Sequence, residues 1–145
     1  MADVVDKTTR SRMMSGIRGK NTKPELLVRQ GLHARGFRYR LHQRSLPGAP
    51  DVVLRRHSAV VFVHGCFWHG HRCRYFKIPA TRTAFWREKI DRNRCNGTKN
   101  EVALLGGGWR VCTVWECALR TNPEASLELL SEWLLSHNNL CEIKG

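Results

Sequence analysis

Apolar and polar positions alternate along most of the chain with periods that predict helices and strands in turn. Thr22-Lys23-Pro24-Glu25 has the spacing of a capping box with a proline in the first turn, and Leu26, Leu27, Gln30 and His33 follow at roughly helical intervals. A helix from about Pro24 to Arg35 is expected, ended by Gly36. Phe37 to Leu41 then alternates as a strand does, and Leu46-Pro47-Gly48-Ala49-Pro50 is a rigid turn that delivers Asp51 to the strand Asp51-Val52-Val53-Leu54. A polar connection, Arg55 to Ser58, leads into the apolar strand Ala59 to His64. Two adjacent antiparallel strands result, with Asp51 at the start of one beside Val63 and His64 at the end of the other.

Thr83 opens a second amphipathic helix carrying Trp86, Lys89, Ile90 and Asn93. Asn96-Gly97 predicts an interruption, Val102 to Leu105 a resumption, and Gly106-Gly107-Gly108 the end of that element. Trp109 to Trp115 alternates as a core strand, Ala125 to Leu135 repeats leucine at helical spacing among acids, and a polar tail follows. In contrast, the first 20 residues place Met13 and Met14 among Arg10, Arg12 and Arg18 without apolar periodicity, so they form a basic arm or a short surface helix. The expected architecture is α/β, a mixed sheet flanked by helices, in a single domain over residues 1–145, because this length suffices for one core and is short for two.

Charge sharpens the picture. Residues 1–100 carry 22 Lys and Arg against 6 Asp and Glu, whereas residues 101–145 carry 3 against 6. Such an excess self-repels in a compact domain unless an anion shares the surface, and nucleic acid is the polyanion that releases counterions on binding. A membrane surface fits less well, since the arginines are interleaved with Gly, Asn and Thr rather than lining a long apolar helix. The N-terminus lacks an apolar leader and the longest purely apolar run, Ala59 to Val63, is too short to span a bilayer, so a cytoplasmic protein without membrane association is expected. Thiols in that compartment stay reduced, which favours metal ligation over disulfides.

The densest chemistry is Cys66-Phe67-Trp68-His69-Gly70-His71-Arg72-Cys73, two Cys and two His in eight residues directly after a strand. Zinc takes four nitrogen or sulfur ligands in a tetrahedron, and a local loop supplying three can be completed by a distant fourth, for which Cys117 past the strand end is suited. Five candidates compete for four places, and spacing alone does not say which histidine is excluded. Four protein ligands close such a site and make it structural. Cys95, Cys112 and Cys141 read as bystanders, on a helix, in a core strand and in the polar tail. Pro50-Asp51 at a strand start suits a carboxylate that holds Mg²⁺ in a nuclease, yet the usual acid-x-Lys companion is missing, because the next strand ends Val63-His64-Gly65.

Several blocks together resemble the very-short-patch repair endonucleases, which nick DNA 5′ to the T of a T:G mismatch. They are Ser45-Leu46-Pro47-Gly48 with Pro50-Asp51, His64-Gly65-Cys66-Phe67-Trp68-His69 with His71 and Cys73, Pro79-Ala80-Thr81-Arg82-Thr83 with Phe85-Trp86, Trp109-Arg110-Val111, and Val114-Trp115-Glu116-Cys117-Ala118-Leu119-Arg120. Met1-Ala2-Asp3 and Asp6-Lys7 add to the likeness, while the last 25 residues carry little of it. The resemblance implies a restriction-endonuclease-like fold lacking the acid-x-Lys and a nick that initiates very short patch repair of deaminated 5-methylcytosine. It implies Mg²⁺ held by the Asp51 carboxylate and the backbone carbonyl at Val63, where the family typically has Thr. His69 is then the general base, His64 and Glu25 support it, and the zinc ligands are Cys66, His71, Cys73 and Cys117. Phe67, Trp68 and Trp86 are implied to wedge into the mismatch, with Met14 entering from the opposite groove and Lys89 and Asn93 reaching the bases.

Two other classes share parts of this pattern: a zinc-containing DNA-binding module without hydrolytic activity, and a restriction enzyme for unmodified duplex. The expected partner is double-stranded DNA with a T:G mismatch, met by a monomer that hands nicked DNA to downstream repair proteins.

Overall fold

A computed structural model describes residues 22–71, 73 and 77–145. The basic arm, with Met14, lies outside the described residues. Helix α1 spans Lys23–Ala34 and starts as its capping box predicts, since Thr22 Oγ1 accepts the Glu25 N–H at 3.4 Å. Strand β1 is shorter than the alternation suggests, only Arg40–Leu41, and it runs antiparallel to β2, Val52–Leu54. A single 3₁₀ turn, Arg55–His57, and a left-handed Ser58 reverse the chain into β3, Ala59–His64, antiparallel to β2.

Helix α2 runs unbroken over Thr83–Gly106, so the expected interruption at Asn96-Gly97 does not occur. Gly97 costs helix propensity, but one such residue is tolerated when Ile90 and Leu104 are buried on either side of it. The glycine run does close the helix, with Gly107 as its cap and Gly108 at φ +88°. Strand β4, Arg110–Trp115, returns parallel to β3, which makes α2 the crossover between them. A short helix α3, Glu116–Thr121, and the longer α4, Pro123–Leu134, lead to β5, Leu140–Ile143, parallel to β4. The tail read as polar is thus an edge strand, and Cys141 lies in register with Cys112 rather than in a loose terminus. The result is a five-stranded mixed sheet in sequence order.

Burial accounts for the layers. Val28 and Leu32 of α1, Leu119 of α3 and Leu130, Trp133 and Leu134 of α4 pack with Val52, Leu54, Val61, Cys112 and Val114 from the sheet. Leu104 near the end of α2 covers Val53, Val60, Phe62 and Val111, which alternate with the first set along the same strands. Arg110 ties the ends of the layers together: its guanidinium donates to the carbonyls of Trp133 at 2.6 Å and Leu134 at 3.2 Å, where α4 leaves its last acceptors, and lies over the Trp133 ring. This framework brings the C-terminal ends of β3 and β4 side by side, pairing His64 with Trp115, and sets Asp51 next to them.

Candidate active site and metal centre

Asp51 emerges from a closed turn. Ala49 N–H donates to the Leu46 carbonyl, Gly48 takes φ +75°, and Leu46 anchors the turn on the second core cluster. The carboxylate then reaches across to β3, where Oδ2 accepts the Val63 N–H at 2.7 Å. Around it converge Glu25, 5% exposed, and His42, one residue past β1, whose backbone N–H donates to the Asp51 carbonyl at 3.3 Å. His42 Nδ1 is 4.0 Å from Asp51 Oδ1 and its Nε2 is 3.6 Å from Glu25 Oε2, while Arg29 Nη2 stands 3.1 Å from Glu25 Oε2. Burial pushes the Asp51 carboxyl up to about 7; the Val63 N–H opposes this, and the charge and hydrogen bonding of Glu25 reinforce it. Ligand atoms of Glu25, His42 and Asp51 lie within 4.8 Å of one another, a group able to hold a metal ion.

Beyond Val63 the strand ends in His64, whose ring stacks on that of His69 with centroids 3.7 Å apart and planes 6° apart. Burial holds His64 down to about 3, with the facing His69 adding to the shift, and burial holds His69 down to about 4. Both are therefore neutral imidazoles at neutral pH. His71, two residues on, faces the other way: it stacks on Trp115 at 4.1 Å and its Nδ1 lies 3.6 Å from Cys66 Sγ and 3.5 Å from Cys117 Sγ. Cys66, His71, Cys73 and Cys117 offer ligand atoms all within 4.8 Å, so the loop and the start of α3 form a second group able to hold a metal. Burial raises the Cys66 thiol well above its ordinary range, and the Cys117 N–H aimed at its sulfur at 3.3 Å offsets this only in part. Trp115 joins the two groups, edge-on to His64 and His69, with its indole N–H donated to Glu142 at 2.7 Å.

The turn that carries these side chains is locked onto α2. Asn93 Nδ2 donates to the Trp68 carbonyl at 2.8 Å, and Arg94 donates to the carbonyls of His69 and Gly70. Gly70 takes φ +59°, and a Cβ there would meet Ile90 at 2.5 Å. Above the turn Phe67, Trp68 and Trp86 form a mutual aromatic cluster with centroids 5.0 to 5.8 Å apart, all three half-buried, and Lys89 Nζ sits 6.0 Å over Trp68. Trp86 therefore belongs to this cluster rather than to the core. A cleft of about 1670 Å³ is lined by Asp51, His64, His69, Phe67, Trp86 and Lys89 among others.

Of the residues singled out from sequence, Glu25 and Asp51 are brought together, as are the Phe67, Trp68 and Trp86 group, and the Cys66, His71, Cys73 and Cys117 group. Sequence reasoning missed His42 and Arg29. The signal for His42 was the register: Leu41 pairs with Val52, so the next residue falls opposite Asp51. The long turn between the strands hid it.

A metal-capable group of acids and an imidazole shares a large cleft with an aromatic shelf, a combination suited to a DNA endonuclease. Residues 2–75 match the sequence profile of the DNA mismatch endonuclease Vsr. The chain is 44% identical over 147 residues to the DNA mismatch endonuclease Vsr of Escherichia coli K12, covering 99% of this chain and 94% of that one. It is also 47% identical over 119 residues to the type II nicking enzyme V.XorIIP of Xanthomonas oryzae pv. oryzae, covering 82% and 88%, and 47% identical over 120 residues to V.NmeAIP of Neisseria meningitidis, covering 83% and 86%. The chain belongs to the Vsr family of DNA mismatch endonucleases. It is a nuclease of DNA mismatch repair, and membership of a nuclease family implies a divalent metal. Among the described residues no helix is long and apolar enough to cross a membrane.

Proposed function

We propose that this protein is a Mg²⁺-dependent endonuclease that nicks one strand 5′ to the T of a T:G mismatch, initiating very short patch repair of deaminated 5-methylcytosine. The observation that carries the reading is the Asp51 carboxylate, fixed by the Val63 N–H in a cleft it shares with the stacked His64 and His69.

The donor set fits a hard cation. Glu25 is buried with half-buried Asp51 beside it, and Arg29 offsets only part of their mutual repulsion, since Asp51 is still held toward its protonated form; a further positive charge is therefore favoured there. Asp51 would hold Mg²⁺ with the Val63 carbonyl, because the N–H and C=O of one strand residue point to the same neighbour and the Val63 N–H already points at Asp51. A carbonyl ligand is unaffected by having Val rather than Thr at this position. Bound there, Mg²⁺ supplies a Lewis acid that polarises a phosphoryl oxygen and stabilises the leaving 3′-oxygen. His69 takes the proton of the attacking water at a ring nitrogen. Burial keeps that nitrogen unprotonated, and the phosphates of bound DNA raise its basicity toward the working range. His64 fixes the plane of the His69 ring through the stack, and Glu25 supports Asp51.

Phe67, Trp68 and Trp86 offer three aromatic faces to a base step, and unstacking costs less at a wobble pair than at a good one. Met14 would enter from the opposite groove. Lys89 and Asn93 would reach the mismatched bases, Asn93 with the amide atoms left over from its bond to Trp68. Cys66, His71, Cys73 and Cys117 would bind zinc, since soft thiolates with one imidazole in a closed set of four suit a tetrahedral structural site. The whole chain is then one restriction-endonuclease-like domain without acid-x-Lys, acting as a monomer on chromosomal DNA in the cytoplasm and passing the nick to downstream repair proteins.

Asp51→Asn tests this reading. With Mg²⁺ and an end-labelled T:G duplex, nicking should fall by at least about three orders of magnitude while zinc content and duplex binding are retained. A variant that nicks normally contradicts the reading, and a wild-type protein that shifts the duplex without cutting it is a binding module.

A further inference from the structure

We propose that His42 is a nitrogen ligand of the divalent cation at Asp51, making this site a Glu25, His42 and Asp51 triad that favours Mn²⁺ and later divalent ions over Mg²⁺. The proposal deepens the reading of Asp51 as a cation ligand and rests on it.

Three observations carry it. His42 is placed by the backbone and not by chance contact: its N–H is bonded to the Asp51 carbonyl, and its own φ of +49° turns the ring back over the end of β2 toward α1. The ring therefore lies between the two carboxylates, with Nδ1 4.0 Å from Asp51 Oδ1 and Nε2 3.6 Å from Glu25 Oε2. Only one ring nitrogen can ligate a given ion; one donor atom each from Glu25, His42 and Asp51 lie within 4.8 Å of one another, and because donors bound at about 2.1 Å to one octahedral ion are at most about 4.2 Å apart, the ion would draw the three inward by roughly half an ångström. Second, a cationic group already stands in the cluster. Arg29 Nη2 is 3.1 Å from Glu25 Oε2 and 3.4 Å from His42 Nε2. A guanidinium only donates, so this contact suits the tautomer in which Nε2 carries the lone pair and Nδ1 the hydrogen, and a metal would bind at Nε2 by taking that lone pair over from Arg29.

The third observation is chemical. The carboxylate and carbonyl donors proposed above are hard oxygens, matched to Mg²⁺, whereas an imidazole nitrogen adds affinity along the series from Mn²⁺ onward. His42 thus changes which ion the site prefers, without changing what the ion does for a phosphodiester.

The test uses the full-length, zinc-loaded protein and Mn²⁺ alone, without DNA. Electron spin echo modulation should detect a directly bound ¹⁴N on Mn²⁺ in the wild type, and the signal should vanish in His42→Ala and in His42→Gln, which keeps more of the side chain's bulk. Mn²⁺ affinity, read from the free-ion EPR signal, should weaken at least about tenfold in His42→Ala while Mg²⁺ affinity, read by competition, changes less. Zinc content and melting temperature identify variants that remain folded. A nitrogen signal and a Mn²⁺ affinity that persist in both variants overturn the proposal. Asp51→Asn separates the two levels: if it loses Mn²⁺ while the His42 variants do not, the proposal fails and Asp51 remains a ligand. If Asp51→Asn binds Mn²⁺ normally, the reading of Asp51 itself fails.

Discussion

Asp51 and the His64 and His69 pair respond to burial in opposite senses, and this gives the site a measurable signature. The carboxyl of Asp51 is held at about 7 against an ordinary 3.8, so the stability it contributes is fully present below 3.8 and is lost as pH rises through 7. His64 and His69, held at about 3 and about 4 against 6.5, do the reverse: their contribution is present above 6.5 and is lost as pH falls. Acid release of a metal from the cysteines has the same sign as the histidines, so a difference between variants isolates Asp51. Asp51→Asn keeps an oxygen for the Val63 N–H and removes the titration. In Mg²⁺-free buffer the melting temperature of Asp51→Asn relative to wild type should climb between pH 4 and 7. A constant difference across that range means that Asp51 is an ordinary exposed carboxylate.

At this scale the sequence was informative wherever residue type and chemistry coincide. Asp51 after a Pro-containing turn, and Cys and His crowded past a strand end, are visible without coordinates. His42 was not, because its place beside Asp51 depends on strand pairing across a long turn, and Arg29 was not, because one basic residue on a basic chain carries no signal.

Among the elements, local periodicity located α1, β2, β3 and β4 and the start of α2, since each buries a face whose spacing is fixed by its geometry. Where prediction failed, tertiary packing overrode local preference. Gly97 does not break α2, and β1 contracts to two residues because only Arg40 and Leu41 find partners on β2. Helix α3 and strand β5 were invisible: α3 is one and a half turns whose Cys117, Ala118 and Leu119 are all buried, and β5 is an edge strand with alternating polar residues. The element scale is also where the thiol-rich centre matters, because it ties the turn after β3 to the start of α3, 51 residues away. Cys117→Ala should therefore release zinc, from one per chain to well below, and lower the melting temperature by on the order of 10 °C. Unchanged metal content by plasma emission and an unchanged melting curve would rule Cys117 out as the fourth ligand.

For the whole molecule, charge and shape agree. Arg44, Lys89 and Arg94, from the cationic first hundred residues, line the cleft that holds Asp51, His64, His69 and the aromatic rings, whereas the acidic surplus of residues 101–145 includes Glu124, Glu128 and Glu132 on α4. Two of these face Arg35, the C-cap of α1, at 3.4 and 3.6 Å, surface pairs worth little energetically. Under the proposed function, phosphate contacts would hold DNA of any sequence and discrimination would rest on the aromatic shelf and on what can be unstacked.

Mismatch-directed nicking is tested most directly by single-turnover cleavage, with Mg²⁺, of two duplexes identical except that one carries T:G and the other T:A, each labelled on either strand. One nick is expected, 5′ to the mismatched T, with the opposite strand and the paired duplex left intact at least about a hundredfold longer. Equal cutting of both duplexes, or breaks in both strands, would contradict it.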